Sequence, residues 1–197
     1  MNKKEKLALF LGMLSGDGCL RISHSGQGYR NYPLGFYNTD KKKVELFSQL
    51  FLDIFGVSGT ISHRDRENRL RIYEFSKTSR KIVEELKNLG FPEGVKRDVL
   101  RVLNIIKQGT KNQKAAFIYG VLITDGSLRK KGNILFHSGS KLFLEDLSKL
   151  IGEFTKTIKP IKEYIQREIY KSYQLSLNKV ETNILLSACR CGTMVLR

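Results

Sequence analysis

A chain of 197 residues with 41% hydrophobic side chains can bury a sizeable core, which excludes wholesale disorder and suits one compact domain or two small ones. Lysine and arginine outnumber the acids 35 to 19, a formal charge of +16 that points to a polyanionic partner, nucleic acid ahead of an anionic membrane. No apolar run approaches the roughly 18 residues a membrane span needs, and the three cysteines, odd in number and without C-x-x-C spacing, support neither a disulfide framework nor a zinc site.

The chain starts with "NKKEK" and "LALFLGML", which imitate a secretory signal. The next residues are "SGDGCL" rather than a small-residue cleavage site, so the expected location is intracellular (cytoplasm, nucleoid or organelle), not secreted. Leu7, Phe10, Leu11 and Leu14 stand at helical spacing and predict a short helix running into Asp17-Gly18. A ribbon is predicted next, from "CLRIS" to "LGFYN", around the stretch 21–35. The helix predicted over 40–56 has Asp40 as N-cap and Gly56 as its stop. Two more strands, "TISHRDR" and "LRIYEFS", and the helix "SRKIVEELKNLG" complete the first part. Residues 91–113 form a partly helical connection.

The rest of the chain repeats this plan. Shifted by 100 positions, Phe36 falls on Phe136, Lys41 on Lys141, Glu45 on Glu145, Tyr73 on Tyr173 and Leu86 on Leu186. The Asp-Gly pairs match at a shift of 108, because "RKKGN" (129–133) is a tighter connection than 21–35. Phe117, Val121 and Leu122 predict a second helix ending at Asp125-Gly126. Then come "NILFH", a helix over 140–154 capped by Ser140, the strands "IKPIKEYIQ" and "SYQLSLN", and the helix "KVETNILLSAC". The order αββαββα, twice, predicts an α+β fold with antiparallel sheets. Its parts are a first half over 1–90, a linker over 91–113 and a second half over 114–197, related by a pseudo-two-fold axis.

Both motif helices carry an interior glycine, which costs about 1 kcal/mol relative to alanine and so needs a reason. Gly12 and Gly16, and Gly120 and Thr124, are small residues four apart; they predict that the two helices pack against each other in close contact. Gly18 and Gly126 are expected as left-handed caps. Asp17 and Asp125 then meet at two helix C-termini, where the partial charge is negative and the last carbonyls, those of Gly16 and Thr124, are free. All-oxygen donors of this kind select a hard divalent ion such as Mg²⁺, and such an ion between carboxylates and a phosphate hydrolyses phosphodiesters.

The segments "LFLGMLSGDG" (9–18) and "FIYGVLITDG" (117–126) resemble the two signature motifs of LAGLIDADG homing endonucleases, and the resemblance to a monomeric, two-motif member covers essentially the whole chain. It implies a duplicated αββαββα fold and cleavage of both strands of a long pseudo-palindromic DNA site across the minor groove, with short 3′ overhangs. It also implies an intron-encoded protein and Mg²⁺ or Mn²⁺ as cofactor, with Ca²⁺ supporting binding but not cleavage. Carried over by position, the resemblance makes Asp17 and Asp125 metal ligands and Asn38 a polar active-site residue, with either His137 or Ser138 in the second half. It suggests Lys77 and Lys179 as basic residues beside the scissile phosphates. An intron RNA maturase on the same fold, or a non-catalytic DNA-binding regulator, are the alternatives.

A two-stranded ribbon fits the major groove, and alternation sends one face of each strand toward DNA. Candidate contacts in the first half are Arg21, Ser23, Arg30 and Tyr32 on the first ribbon and Arg64, Arg66, Arg69 and Arg71 around the later hairpin. In the second half they are Arg129, Lys130 and Lys131 on the tight turn and Lys162, Tyr164, Gln166 and Arg167 on the later hairpin. Most such charges contact phosphate and a few read bases.

Overall fold

In the computed structural model the described residues are 1–24, 30–65, 70–166 and 170–192, with side chains described for all of these but 23, 24, 30, 165, 166, 170 and 190–192. The first half runs α1 (Lys3–Asp17), β1 (Gly18–Leu20), β2 (Ser23–His24), β3 (Arg30–Asn31), β4 (Pro33–Asn38), α2 (Lys41–Phe55), β5 (Thr60–Arg64), β6 (Ile72–Thr78) and α3 (Arg80–Asn88). The short α4 (Asn104–Lys107) lies in the connection. The second half runs α5 (Lys111–Asp125), β7 (Gly126–Leu128), β8 (Ile134–Ser138), α6 (Lys141–Thr155), β9 (Lys162–Gln166), β10 (Tyr170–Leu177) and α7 (Lys179–Gly192). Helix α5 therefore starts inside the segment expected to be linker, because Thr110 and Gln113 form a reciprocal capping box there.

The two halves build the same four-stranded antiparallel sheet, in the orders β1-β4-β6-β5 and β7-β8-β10-β9. A two-stranded β2–β3 hairpin stands apart, inside the insertion that separates the two offsets of the repeat. Alternation along the strands sends Phe36, Phe75 and Leu34 of one sheet, and Phe136, Leu175 and Leu177 of the other, into the core. The aromatic centre of the first half is Phe47 of α2, stacked on Phe36 at 4.3 Å and edge-on to Phe75 at 5.3 Å. The opposite face of each sheet stays open.

Helices α1 and α5 make the most extensive contact between any two elements. Residues 8–15 of α1 are buried without a break, so this helix is apolar all round rather than amphipathic. The glycines allow the approach: a Cβ on Gly12 would lie 2.2 Å from the Phe117 carbonyl oxygen, and one on Gly120 would lie 2.4 Å from that of Leu9. Gly18 and Gly126 do not adopt the expected left-handed caps. They are extended (φ −92° and −90°) and pass directly into β1 and β7. Their need for glycine is one of space, since a Cβ would strike Leu14 or Leu122 one turn back.

The connection is tied down on both sides. Gly94 N–H donates to the Leu20 carbonyl at 2.8 Å. Further on, Arg101 and Lys107 hold Asp146 of α6 at 2.8 and 2.9 Å. Burial works against the Asp146 charge, but hydrogen bonds from Arg101 and Lys107 outweigh it and keep the carboxyl below its ordinary range. Among the described residues no helix is long and apolar enough to cross a membrane.

Candidate active site at the paired helix ends

The α1–α5 packing brings Asp17 and Asp125 together at the adjoining C-termini. A Cβ on Gly16 would lie 3.3 Å from the Asp125 carboxyl carbon. Burial, and after it the charge of Asp17, lifts the Asp125 carboxyl to about 7. Asp17 is also raised by burial, against the opposing effects of Asn38, Lys96 and Lys43. Two half-buried acids at the negative ends of two helices form a site that a cation relieves.

One such cation comes from the connection. Lys96 Nζ donates to the last carbonyls of α1, those of Leu14, Ser15 and Gly16, at 3.1, 2.7 and 2.6 Å. Gly94 and Asp98, on either side of it, both have positive φ. Burial pushes Lys96 down to about 8 although Asp125 and Asp17 pull the other way. Sequence reasoning passed over this residue because it stands outside both repeats. The available signal was indirect: a half-buried pair of acids needs a counter-charge, and the connection is the segment that can deliver one.

Asn38 ends β4 beside Asp17. Its Nδ2 donates to Asp17 Oδ2 at 2.6 Å, while its Oδ1 accepts from Asp40 N–H at 2.8 Å. In the second half Ser138 Oγ accepts from Ser140 N–H at 3.1 Å, the same position in the chain turn. Ser138 and His137 both line a cavity of about 530 Å³ together with Asp125, Lys96 and Arg97.

Several expected site residues lie elsewhere. Lys77 pairs with Leu34 on β4 and shares the face of Phe75. It therefore stands at the end of the sheet away from Asn38, about 13 Å along the strand. Lys179 begins α7, with its stem against the turn at Gly132, beside the strand end opposite Ser138. Neither is a candidate for the scissile phosphate, because β6, which holds Lys77, and β10, which Lys179 follows, run away from the carboxylates. The Gly16 carbonyl is held by Lys96, so a second cation there would meet the ammonium charge. Thr124 Oγ1 donates back to the Gly120 carbonyl and lies against Gly16, a packing role.

Of the expected DNA contacts, Arg21, Arg64, Arg71, Arg129, Lys130, Lys131, Lys162 and Tyr164 are exposed. Arg64 lies on the open face of its sheet, whereas Arg71, hydrogen-bonded to Tyr73 and paired with Asp65, lies on the other. Tyr32 is a correction: it is 8% exposed, belongs to the core and has the Arg80 guanidinium over its ring at 5.8 Å. Arg66, Arg69 and Arg167 lie outside the described residues, as do the side chains of Ser23, Arg30 and Gln166.

The donor set fits a hard cation. Among the described residues no cluster of three or more His, Cys, Asp or Glu side chains exists. The carboxylates of Asp17 and Asp125 would share an ion with water or phosphate oxygens. The buried Ser127 hydroxyl, two residues past Asp125 on β7, has no hydrogen-bond partner.

The family model of the LAGLIDADG-like domain matches residues 4–90 and 112–186, one copy on each half. The chain belongs to the LAGLIDADG-like family. Its two-motif, two-sheet architecture is also that of solved relatives. The homing endonuclease I-DmoI in complex with DNA and calcium superposes with a TM-score of 0.73 at 18% identity, over 96% of this chain and 91% of that one. I-DmoI is also seen with DNA and manganese, and one variant of it with target DNA and magnesium. The homing endonuclease I-WcaI, bound to its DNA recognition sequence, gives 0.63 at 13% identity over 98% and 84%. Full-length DUF199/WhiA from Thermatoga maritima gives 0.60 at 11% identity over 95% and 56%. At these identities the likeness establishes the fold.

Proposed function

We propose that this LAGLIDADG-family protein is a sequence-specific, divalent-metal-dependent endonuclease that cuts both strands of a long pseudo-palindromic DNA site, acting as a monomer. The observation that carries this reading is the convergence of Asp17 and Asp125 beside Lys96, in a chain of two matching four-stranded sheets and net charge +16. The solved homing endonucleases of this fold, bound to DNA with Ca, Mn or Mg, support it. Mg²⁺ or Mn²⁺ is the productive ion in this reading, Ca²⁺ permits binding alone, the cut leaves short 3′ overhangs, and the coding sequence lies in an intron.

When bound, the divalent ion supplies Lewis-acid chemistry, lowering the pKa of water and stabilising the leaving oxygen. The chain's own residues do the rest. Asp17 and Asp125 would hold the ion. Asn38 fixes the Asp17 carboxylate through Oδ2. Lys96 closes the last turn of α1 and sets a positive charge beside the phosphate to be cut. Ser138 and His137 line the second side of the site. In this reading the open face of each sheet lies along one half of the duplex and holds the centre of the site over the carboxylates.

The test is selection from a randomised duplex library with Ca²⁺, then addition of Mg²⁺ to the bound pool. The reading expects a discrete sequence that is cut on both strands. Specific binding without cleavage would favour a DNA-binding regulator; no duplex binding, with affinity for the host intron RNA, would favour a maturase.

A further inference from the structure

Register brings one cross-strand row of each open face to the same level. In the first half the row is Tyr37–Glu74–Ser62, one residue from Asn38. In the second it is His137–Gln174–Lys162, one residue from Ser138. The pseudo-two-fold axis relates the rows, but their chemistry differs. Arg64, two residues past Ser62 and so on the same face, donates to a single oxygen, Glu74 Oε2, from Nη2 at 2.8 Å and Nε at 3.2 Å. Its guanidinium carbon lies 6.0 Å from the Tyr37 ring centroid. The Tyr37 ring folds back along its own strand, so that a Cβ on Gly35 would come within 2.8 Å of the hydroxyl. The second row has no carboxylate; its centre is the Gln174 amide, which offers a donor and an acceptor side by side.

We infer that these rows are where the reading of the two half-sites diverges: Arg64, held by Glu74 and Tyr37, reads a guanine in the first half, and Gln174 reads an adenine at the symmetry-related position of the second. This rests on the DNA-cutting reading above. Guanine O6 and N7 accept the arginine fork, and adenine N6 and N7 match the glutamine amide. A carboxylate on a face that meets phosphates works against binding, so Glu74 needs a reason. It has one as a positioning residue: two of the five guanidinium donors are spent on Glu74, the ring of Tyr37 backs the plane, and the remaining donors point outward in one fixed orientation before DNA arrives. An ordinary surface ion pair has no use for the ring or for the glycine beneath it.

The experiment is selection of bound duplexes in Ca²⁺ by the full chain and by Arg64→Ala, Glu74→Gln and Gln174→Ala variants. The wild type is expected to select guanine at one position and adenine at its symmetry mate. Arg64→Ala loses the guanine preference about tenfold or more, at that position alone. Glu74→Gln weakens the same preference with the arginine still present, which a purely structural role would not do. Gln174→Ala relaxes the adenine. A selected site without this pair, or variants that weaken all sequences evenly as phosphate contacts do, overturns the inference while leaving the endonuclease reading standing. Failure to select any sequence overturns both.

Discussion

The Asp125 carboxyl, lifted to about 7 by burial and by Asp17, is a native group that prefers its proton. Its folded pKa lies above the ordinary value of 3.8, so the native state holds more protons than the unfolded chain between pH 4 and 7. The stability this lends is full below pH 4 and is lost as pH rises through 7. Asp125→Asn in chelator should therefore raise the melting temperature at pH 7.5 and have little effect at pH 4; an equal shift at both would refute the buried-acid account. Divalent ions need the ionised form, so calorimetric affinity should strengthen as pH rises through about 7. Lys96 offers the complementary case. Lys96→Met removes three hydrogen bonds to the α1 carbonyls and the nearest positive charge, and should slow cleavage on the order of 100-fold. Specific binding in Ca²⁺ should change far less. The meeting of Asp17 and Asp125 was legible in the sequence because a motif marks each; Asn38 was reached only through the family resemblance. Lys96 was legible in neither way, because it stands in an unrepeated segment. Lys77 and Lys179 misled because chain position after a strand does not say at which end of the sheet a residue sits.

At the scale of elements, the site depends on how closely α1 and α5 approach. Gly12→Ala or Gly120→Ala places a methyl group within 2.2–2.4 Å of a backbone oxygen and should destabilise the fold by about 1–3 kcal/mol in urea titration. Gly56→Ala is the informative contrast. It meets nothing within 4 Å and carries only the strain of φ +70° on an L-residue, roughly 1–2 kcal/mol. If the two helix glycines cost no more than that, close packing of the motif helices is not what they provide. The helices and caps of α2 and α6 were readable from Asp40, Gly56 and Ser140, since N-cap side chains and a positive-φ stop are local signals. The extended form of Gly18 and Gly126 was not, because a turn glycine and a glycine excluded by Leu14 or Leu122 look alike in one dimension. Tyr32 was misassigned for a related reason: a tyrosine in a basic insertion reads as surface, yet it sits just before β4, where its carbonyl accepts from Ser79 N–H, and belongs to the core.

For the whole molecule, the duplication puts both acids of the proposed site in one chain, since each half contributes one carboxylate and one four-stranded sheet. The charge of +16 predicts that non-specific duplex binding falls steeply with salt, with log K declining against log[salt] at about −0.9 per phosphate neutralised. Arg64→Ala, Arg129→Ala and Lys162→Ala each remove one candidate phosphate or base contact and should shallow that slope by at most about one. The duplicated plan was legible because hydrophobic spacing and the two Asp-Gly pairs recur together. The convergence of the pairs was an inference from small residues, and the α1–α5 contact bears it out. The claim on which everything else depends is that the two halves share one site for chemistry. Its most direct test is strand-resolved cleavage of a selected duplex by Asp17→Asn, Asp125→Asn and the double variant. The account predicts that each single variant binds the duplex in Ca²⁺ but loses double-strand cleavage by at least about 100-fold in Mg²⁺. Either single variant cutting both strands at the wild-type rate would contradict it.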